Sequence, residues 1–199
     1  MTSVGRWVEV HRLAVAGREA GIARDVGGRI GRVWLARSRF ADAARLAELT
    51  LTLGQDATAF YQLGWAKDAT GDRAAALAAY DQALRLYRAV GDRGGEAATL
   101  SNIGGVYGGL GEPQRALEYY GQALPIRREV GDRAGEAVTR YNVALIYRAR
   151  GELGRAVAEL EQVVELDRQV GHPDLASDTE MLRRVRQELA SPDPGRGPQ

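Results

Sequence analysis

Apolar residues recur three and four positions apart along most of the chain, a spacing that predicts amphipathic helices. Between positions 97 and 110, one such face is formed by Leu100, Ile103, Val106, Tyr107 and Leu110. A second face follows and is formed by Ala116, Leu117, Tyr120, Leu124 and Ile126. Gly111 separates the two faces, and Pro113 suits the first turn of a helix because that turn needs no backbone donor there. The pattern therefore predicts a pair of helices joined by a short turn.

This helix pair is repeated at an offset of 40 residues. The segment VGDRGGEA at 90–97 returns as VGDRAGEA at 130–137, and a third copy begins at Val170 and departs at His172. The matched small residues are Gly71, Gly111 and Gly151, together with Ala76, Ala116 and Ala156. In the linker, we expect Gly131 to end one helix in the left-handed conformation and Asp132 to cap the next. Because one pair cannot cover its own apolar faces, neighbouring pairs must stack.

The small and aromatic positions of each copy resemble the signature of the tetratricopeptide repeat. They are Phe60, Leu63, Gly64, Ala76, Tyr80 and Ala83; then Leu100, Ile103, Gly104, Tyr107, Ala116, Tyr120 and Ala123; then Val143, Ala144, Tyr147, Ala156, Leu160 and Val163. The 40-residue variety is similar to Leu-Gly-Asn repeat adaptors and kinesin light chains, and to the C-terminal arrays of bacterial NB-ARC-type regulators. The resemblance implies an all-α fold, a right-handed superhelix of stacked antiparallel helix pairs, with close helix crossings at Gly64, Gly104 and Ala144.

The same pattern divides the chain into units. We predict an array over 1–190, made of an N-terminal helix or half repeat at 6–19, a weak repeat at 24–56, repeats at 57–96, 97–136 and 137–173, and a C-terminal capping helix at 174–190. The Pro- and Gly-rich segment 191–199 is predicted to be disordered. The first unit lacks one helix, so either it caps the array or the chain is the C-terminal piece of a longer one.

Composition narrows the function classes. The chain of 199 residues has 27 basic and 26 acidic side chains, which argues against nucleic acid or an anionic membrane as the main partner. It has no cysteine and two histidines, so thiol chemistry and local His-ligand motifs are excluded. No phosphate-binding loop, catalytic triad or carboxylate pair is found, and we expect no enzyme activity and no cofactor. Without a signal peptide or an apolar run of membrane length, we expect a cytoplasmic protein.

The resemblance implies a concave groove lined by the first helix of each repeat, which holds a peptide or partner segment. Helix geometry assigns to it Tyr61, Gln62, Trp65 and Asp68; Ser101, Asn102, Gly105 and Gly108; and Tyr141, Asn142, Leu145 and Arg148. An amide recurs as Gln62, Asn102 and Asn142. The similar adaptors carry an Asn at this position, which clamps a peptide backbone. The resemblance implies this role for Asn102 and Asn142 only. The alternative is a solvated polar helix face.

Three further hypotheses concern the partner. Gly105, Gly108 and Gly109 either admit a ligand closely or reflect drift in a tolerant array. Arg29, Arg32, Arg140 and Arg148 would favour an acidic peptide. The incomplete first unit would expose an apolar helix face for self-association.

We therefore expect a non-catalytic protein-interaction module that binds a peptide or partner segment. The alternative is a sensor segment of a larger bacterial signalling or transcription-regulating protein.

Overall fold

A computed structural model describes residues 3–191, and within that range the chain is helical with no strand. The helices are α1 (Ser3–Ala16), α2 (Ala20–Ala36), α3 (Phe40–Leu51), α4 (Ala57–Ala69), α5 (Arg73–Val90), α6 (Arg93–Gly109), α7 (Pro113–Glu129), α8 (Arg133–Ala149), α9 (Leu153–Val170) and α10 (Leu175–Ala190). The all-α prediction is confirmed. The predicted disordered tail lies outside the described residues, except for Ser191.

The helices form two compact units that divide within α6, between Val106 and Tyr107. In the N-terminal unit, α2 packs against α1, α3 and α4, and α4 also packs against α3 and α5. In the C-terminal unit, α8 packs against α7 and α9, and α9 against α10. Most of these contacts join helices that are neighbours in sequence, as expected for a repeat protein.

The turns between helices follow the predicted glycine spacing. Six glycines have positive φ, between 65° and 87°: Gly71, Gly91, Gly111, Gly131, Gly151 and Gly171. The carboxylate of Asp132 accepts a hydrogen bond from the backbone N–H of Gly135 at 2.9 Å, which confirms the predicted cap. In the N-terminal unit, Arg18 and Ser38 take the same left-handed conformation without a glycine. The sequence pattern did not predict these two turns, because it relied on glycine as the signal.

The small residues lie where helices approach closely. Ala76, Ala116 and Ala156 are fully buried. A Cβ atom added to Gly64 in α4 would lie 2.6 Å from the ring of Tyr80 in α5, closer than real contacts allow. Tyr80 is itself 1% exposed, so its ring has no room to retreat. The predicted close crossing at Gly64 is confirmed.

Some helix boundaries differ from the predicted divisions. Helices α6 and α8 begin at Arg93 and Arg133, so the repeat boundaries predicted at 96/97 and 136/137 lie within their first turns. The N-terminal helix extends over Ser3–Ala16 rather than 6–19. Helix α7 continues through Pro125, whose ring removes one backbone hydrogen bond from the helix interior.

Ion pairs centred on the buried residues Glu136 and Arg140 link α7, α8 and α9. In the C-terminal unit, Arg128 Nε lies 2.8 Å from Glu136 Oε1. Arg140 pairs with the same carboxylate at 2.9 Å and with Glu159 at 2.5 Å, and only 8% of Arg140 is exposed. The sequence hypothesis placed Arg140 near the end of the groove for an acidic peptide. In the structure, the Arg140 guanidinium instead pairs with the carboxylates of Glu136 and Glu159.

We predict that Gly64→Ala lowers the free energy of unfolding by about 1–3 kcal/mol, because the new methyl group collides with the buried Tyr80 ring. The matched control is Gly121→Ala in α7, where an added Cβ has no neighbour within 4 Å. That change should raise stability by about 0.5–1 kcal/mol through reduced backbone entropy in the unfolded chain. Urea denaturation measures both, and equal effects of the two changes would contradict the close crossing.

We predict that Glu136→Ala costs about 3 kcal/mol or more, since it leaves Arg140 buried without one of its two carboxylates. The control is Glu112→Ala, which removes an exposed pair with Arg115 at 2.9 Å and should change stability by less than about 1 kcal/mol. Chemical denaturation of the two variants compares these costs. A loss for Glu136→Ala no larger than for Glu112→Ala would show that the buried network does not stabilise the fold.

Candidate functional site

The predicted groove residues lie on both sides of the division between the units. Those in the N-terminal unit are Tyr61, Gln62, Trp65, Asp68, Ser101, Asn102 and Gly105; those in the C-terminal unit are Gly108, Tyr141, Asn142, Leu145 and Arg148. Each group is therefore described within its own unit.

The C-terminal unit contains an apolar cavity of about 510 Å³ between the end of α6, the start of α7 and one face of α8. Its lining is Gly108, Gly111, Pro113, Tyr120, Asn142, Leu145, Ile146, Ala149 and Arg150. Three predicted groove residues, Gly108, Asn142 and Leu145, are thus brought together. The Leu145 side chain is 38% exposed, so an apolar surface is open to a ligand here.

Aromatic packing holds the two elements at the edge of the apolar cavity. The rings of Tyr107 in α6 and Tyr119 in α7 stack with centroids 5.4 Å apart. The guanidinium of Arg115 lies 4.8 Å from the centre of the Tyr107 ring, as a cation–π contact. These contacts position Gly108, the next residue after Tyr107. At Gly108 an added Cβ would touch only the Cβ of Ala116, at 4.0 Å, so the glycine leaves the cavity wall open.

The three amides of the predicted row have different surroundings. Gln62 is 3% exposed, and its Nε2 donates a hydrogen bond to the backbone oxygen of Gly28 at 2.8 Å. Asn102 hydrogen-bonds the hydroxyl of Tyr80. Asn142 is half-buried and lines the apolar cavity. Of the three, Asn142 is the amide that the structure places beside an open cavity.

The remaining predicted residues of the N-terminal unit form an aromatic surface on α4. The rings of Tyr61 and Trp65 meet edge to face with centroids 6.4 Å apart, and Trp65 is 40% exposed. Asp68 is half-buried, and its burial raises the pKa of that carboxyl, an effect that Arg73 partly opposes. Ser101 donates its hydroxyl to the backbone oxygen of Ala97 at 3.0 Å, and Gly105 is exposed.

The arginines singled out in the sequence make contacts within their own units. Arg148 Nε lies 3.0 Å from Glu188 Oε2, and this pair raises the pKa of the guanidinium. Arg29 pairs with Asp25 at 3.1 Å and lies over the ring of Trp7. Arg32 is exposed on α2. The structure therefore offers little support for a preference for acidic peptides.

The N-terminal helix has the exposed apolar side chains that the sequence predicts. Trp7, Val10 and Leu13 are between 37% and 54% exposed. Self-association through this face stays a prediction.

Sequence reasoning missed several residues of the apolar cavity. Ile146 and Ala149 lie four positions after Asn142 and Leu145 on α8, so helical spacing would have found them. Pro113 and Tyr120 come from α7, and only the packing of α7 on α8 brings them to this cavity.

Within residues 3–191, no helix is long and apolar enough to cross a membrane. No group of three or more His, Asp or Glu side chains in the same range is arranged to hold a metal ion.

Solved structures similar to this chain are helical repeat proteins. The crystal structure of BtubC (BKLC) from P. vanneervenii matches with a TM-score of 0.66 and 16% identity, over 100% of this chain and 98% of that one. The apo form of RapI matches with a TM-score of 0.71 and 18% identity, over 80% of this chain and 61% of that one. A putative kinesin light chain of Podosopora anserina, with nearly identical TPR-like repeats, matches with a TM-score of 0.64 and 18% identity, over 96% of this chain and 90% of that one. At these identities the likeness shows the fold alone.

Family models supply the assignment that structural likeness alone does not. No curated protein matches the chain. Two models described as tetratricopeptide repeat match residues 57–90 and 95–169, which together span more than half of the chain. The first range contains the helix pair α4/α5, and the second covers α6/α7 and α8/α9 except for the first two residues of α6 and the last residue of α9. The chain belongs to the tetratricopeptide repeat family.

Proposed function

We propose that this protein is a non-catalytic interaction module and that its C-terminal unit binds an extended segment of a protein partner in the apolar cavity beside α8. The observation that carries the proposal is the cavity itself, whose lining is mostly apolar and contains a single side-chain amide, that of Asn142. Apolar pockets with a few well-placed polar groups are typical ligand sites.

The two kinds of lining residue have different roles in this proposal. Leu145, Ile146 and Pro113 offer an apolar surface, which an apolar side chain of the partner covers. The Asn142 amide both donates and accepts, so it pairs with one backbone N–H and one C=O of an extended segment. Apolar contact then supplies most of the affinity, and the amide sets the position of the segment.

A partner segment bound here is apolar rather than acidic where it meets the cavity. The one guanidinium in the lining, Arg150, lies 2.7 Å from Glu152 and donates to Gln114 at 3.3 Å. Its charge is therefore already neutralised by a neighbouring carboxylate. The exposed Tyr61 and Trp65 pair offers a second apolar contact surface within the N-terminal unit.

We predict that Leu145→Asp weakens binding of peptides at this cavity by about tenfold or more, because a carboxylate replaces apolar contact surface. Peptides of 12 residues are first selected on the wild-type protein from a displayed random library, and their Kd values are then measured by fluorescence anisotropy. The control is Leu189→Asp, which makes the same change at a leucine of α10 that is 47% exposed and outside the cavity lining. Equal losses for both variants, or none for Leu145→Asp, would refute the proposed site.

We predict a smaller effect for Asn142→Ala, about a five- to tenfold rise in Kd for the same peptides, because the segment loses its hydrogen bonds to the amide. Gln122→Ala removes an exposed amide of α7 and serves as the control. Circular dichroism confirms that both variants fold. If Asn142→Ala binds as well as Gln122→Ala, the amide is part of a solvated helix face.

A further inference from the structure

The C-terminal unit contains a second cavity, of about 390 Å³, between α8, α9 and the start of α10. Its lining is Ala137, Val138, Tyr141, Asp167, His172, Asp174, Ser177 and Asp178. Three aspartates thus line the cavity, and its lining contains no lysine or arginine. We call it the acidic cavity.

The 40-residue register shows how one residue of the acidic cavity differs from its counterparts in the preceding copies. Tyr87, Arg127 and Asp167 occupy equivalent positions in successive copies. The ring of Tyr87 fills the space over Gly95, and the guanidinium of Arg127 fills the equivalent space over Gly135. In the third copy the residue is Asp167, whose side chain is much shorter. A carboxylate therefore lies where the preceding copy places a guanidinium.

Within the described residues, the buried Asp167 carboxylate pairs with no arginine or lysine. The residue is 1% exposed, and within the described residues its Oδ2 has no hydrogen-bond partner. Other buried carboxylates of the chain are paired: Glu96 with Arg88 at 2.8 Å, and Glu136 with Arg128 and Arg140. An unpaired buried charge is costly, so Asp167 is a group that a cation would stabilise.

The groups around Asp167 are mostly acidic. His172 Nδ1 accepts a hydrogen bond from the backbone N–H of Asp174 at 3.2 Å and lies 3.9 Å from the Asp167 carboxylate, beyond hydrogen-bond distance. Burial, followed by the hydrogen bond and charge of Asp167, raises the pKa of Asp178 to about 6. The charge of Asp174 adds to this effect, and the charge of His172 opposes it. The carboxylates of Asp167 and Asp178 therefore repel each other at neutral pH.

We propose that the acidic cavity binds the guanidinium of an arginine side chain supplied by a partner polypeptide. The planar guanidinium donates to two carboxylates at once, and Asp167 and Asp178 are adjacent acceptors. Tyr141 lines the same cavity and offers an aromatic face. A metal ion is disfavoured, since these side chains do not have the geometry of a metal site. The inference deepens the proposed function by adding a basic residue to the partner segment.

Titration of the ¹⁵N-labelled full chain with N-acetyl-arginine methylamide at pH 7.5 tests this assignment. We expect shifts in the amide signals of Val138, Tyr141, Ser177 and Asp178. The matched probe is N-acetyl-citrulline methylamide, which has the same shape and no charge, and we expect it to shift none of them. Equal shifts from the two probes, or the same shifts from Ca²⁺ or Mg²⁺ at lower concentration, would overturn the proposal.

Two variants and one control isolate the carboxylates. Asp178→Asn should raise the Kd of the arginine probe about tenfold, and Asp167→Arg should abolish binding by filling the cavity as Arg127 fills its own. Glu118→Gln makes the same charge change as Asp178→Asn at an exposed site of α7 and should leave the Kd unchanged. Unaltered binding in Asp178→Asn would refute the site. Leu145→Asp alters the apolar cavity and should still bind the arginine probe. This variant therefore distinguishes failure of the acidic cavity from failure of the proposed function.

The same charge repulsion is measurable as stability. A folded-state pKa raised above the unfolded value stabilises the protein below the unfolded pKa, and this contribution is lost as the pH rises through the folded value. Four other titratable residues line the cavity with Asp178. Asp167 belongs to α9, Tyr141 belongs to α8, and His172 and Asp174 lie in the turn before α10. Asp178→Asn should therefore raise Tm by about 2–4 °C at pH 7.5, with little change at pH 4. An unchanged Tm at pH 7.5 would contradict the unpaired charge on which the proposal rests.

Discussion

Neighbouring helices of this protein pack in close contact, and this requirement fixes several of its small residues. No helix of the array can bury its own apolar face, so each relies on the helices beside it. Contacts this close require small residues at the crossings, such as Gly64 against Tyr80 and the fully buried Ala76, Ala116 and Ala156. The turns must also be short and of constant shape, which the positive φ of the repeated glycines allows. Stability and shape therefore come from the same few positions.

Positions outside that set are free to differ between copies, and the two cavities arise there. Helix α8 takes part in both: Asn142 and Leu145 line the apolar cavity, whereas Val138 and Tyr141 line the acidic one. The acidic cavity lies where the third copy departs from the repeat, with Asp167 at the position of Arg127 and Asp178 at the position of Val138. A regular scaffold thus supports local sites that occur only once.

The net charge of the chain is near zero, but its charged residues differ in whether they are paired. Most arginines near the proposed sites are paired within their own unit, as Arg140 is with Glu136 and Glu159. Such pairs hold helices in position and leave little free positive charge for a partner. Asp167 and Asp178 are different, because each lies beside the other's carboxyl and neither is paired with an arginine or lysine within the described residues. Net charge counts both kinds of residue equally and cannot separate them.

The helix pairs, the 40-residue period, the glycine turns and the close crossing at Gly64 could be predicted from the sequence, because they follow from local spacing and from residues with restricted roles. Gly108, Asn142 and Leu145, which the sequence analysis assigned to the groove, line the apolar cavity. Packing between helices determines which amide faces an open cavity, since Gln62 and Asn142 have the same position in the repeat, yet Gln62 is buried and Asn142 is half-buried. The boundaries of both cavities are likewise determined by packing, because side chains from different helices meet only when those helices pack. Local pattern specifies the scaffold, and packing between helices decides which side chains remain available to bind.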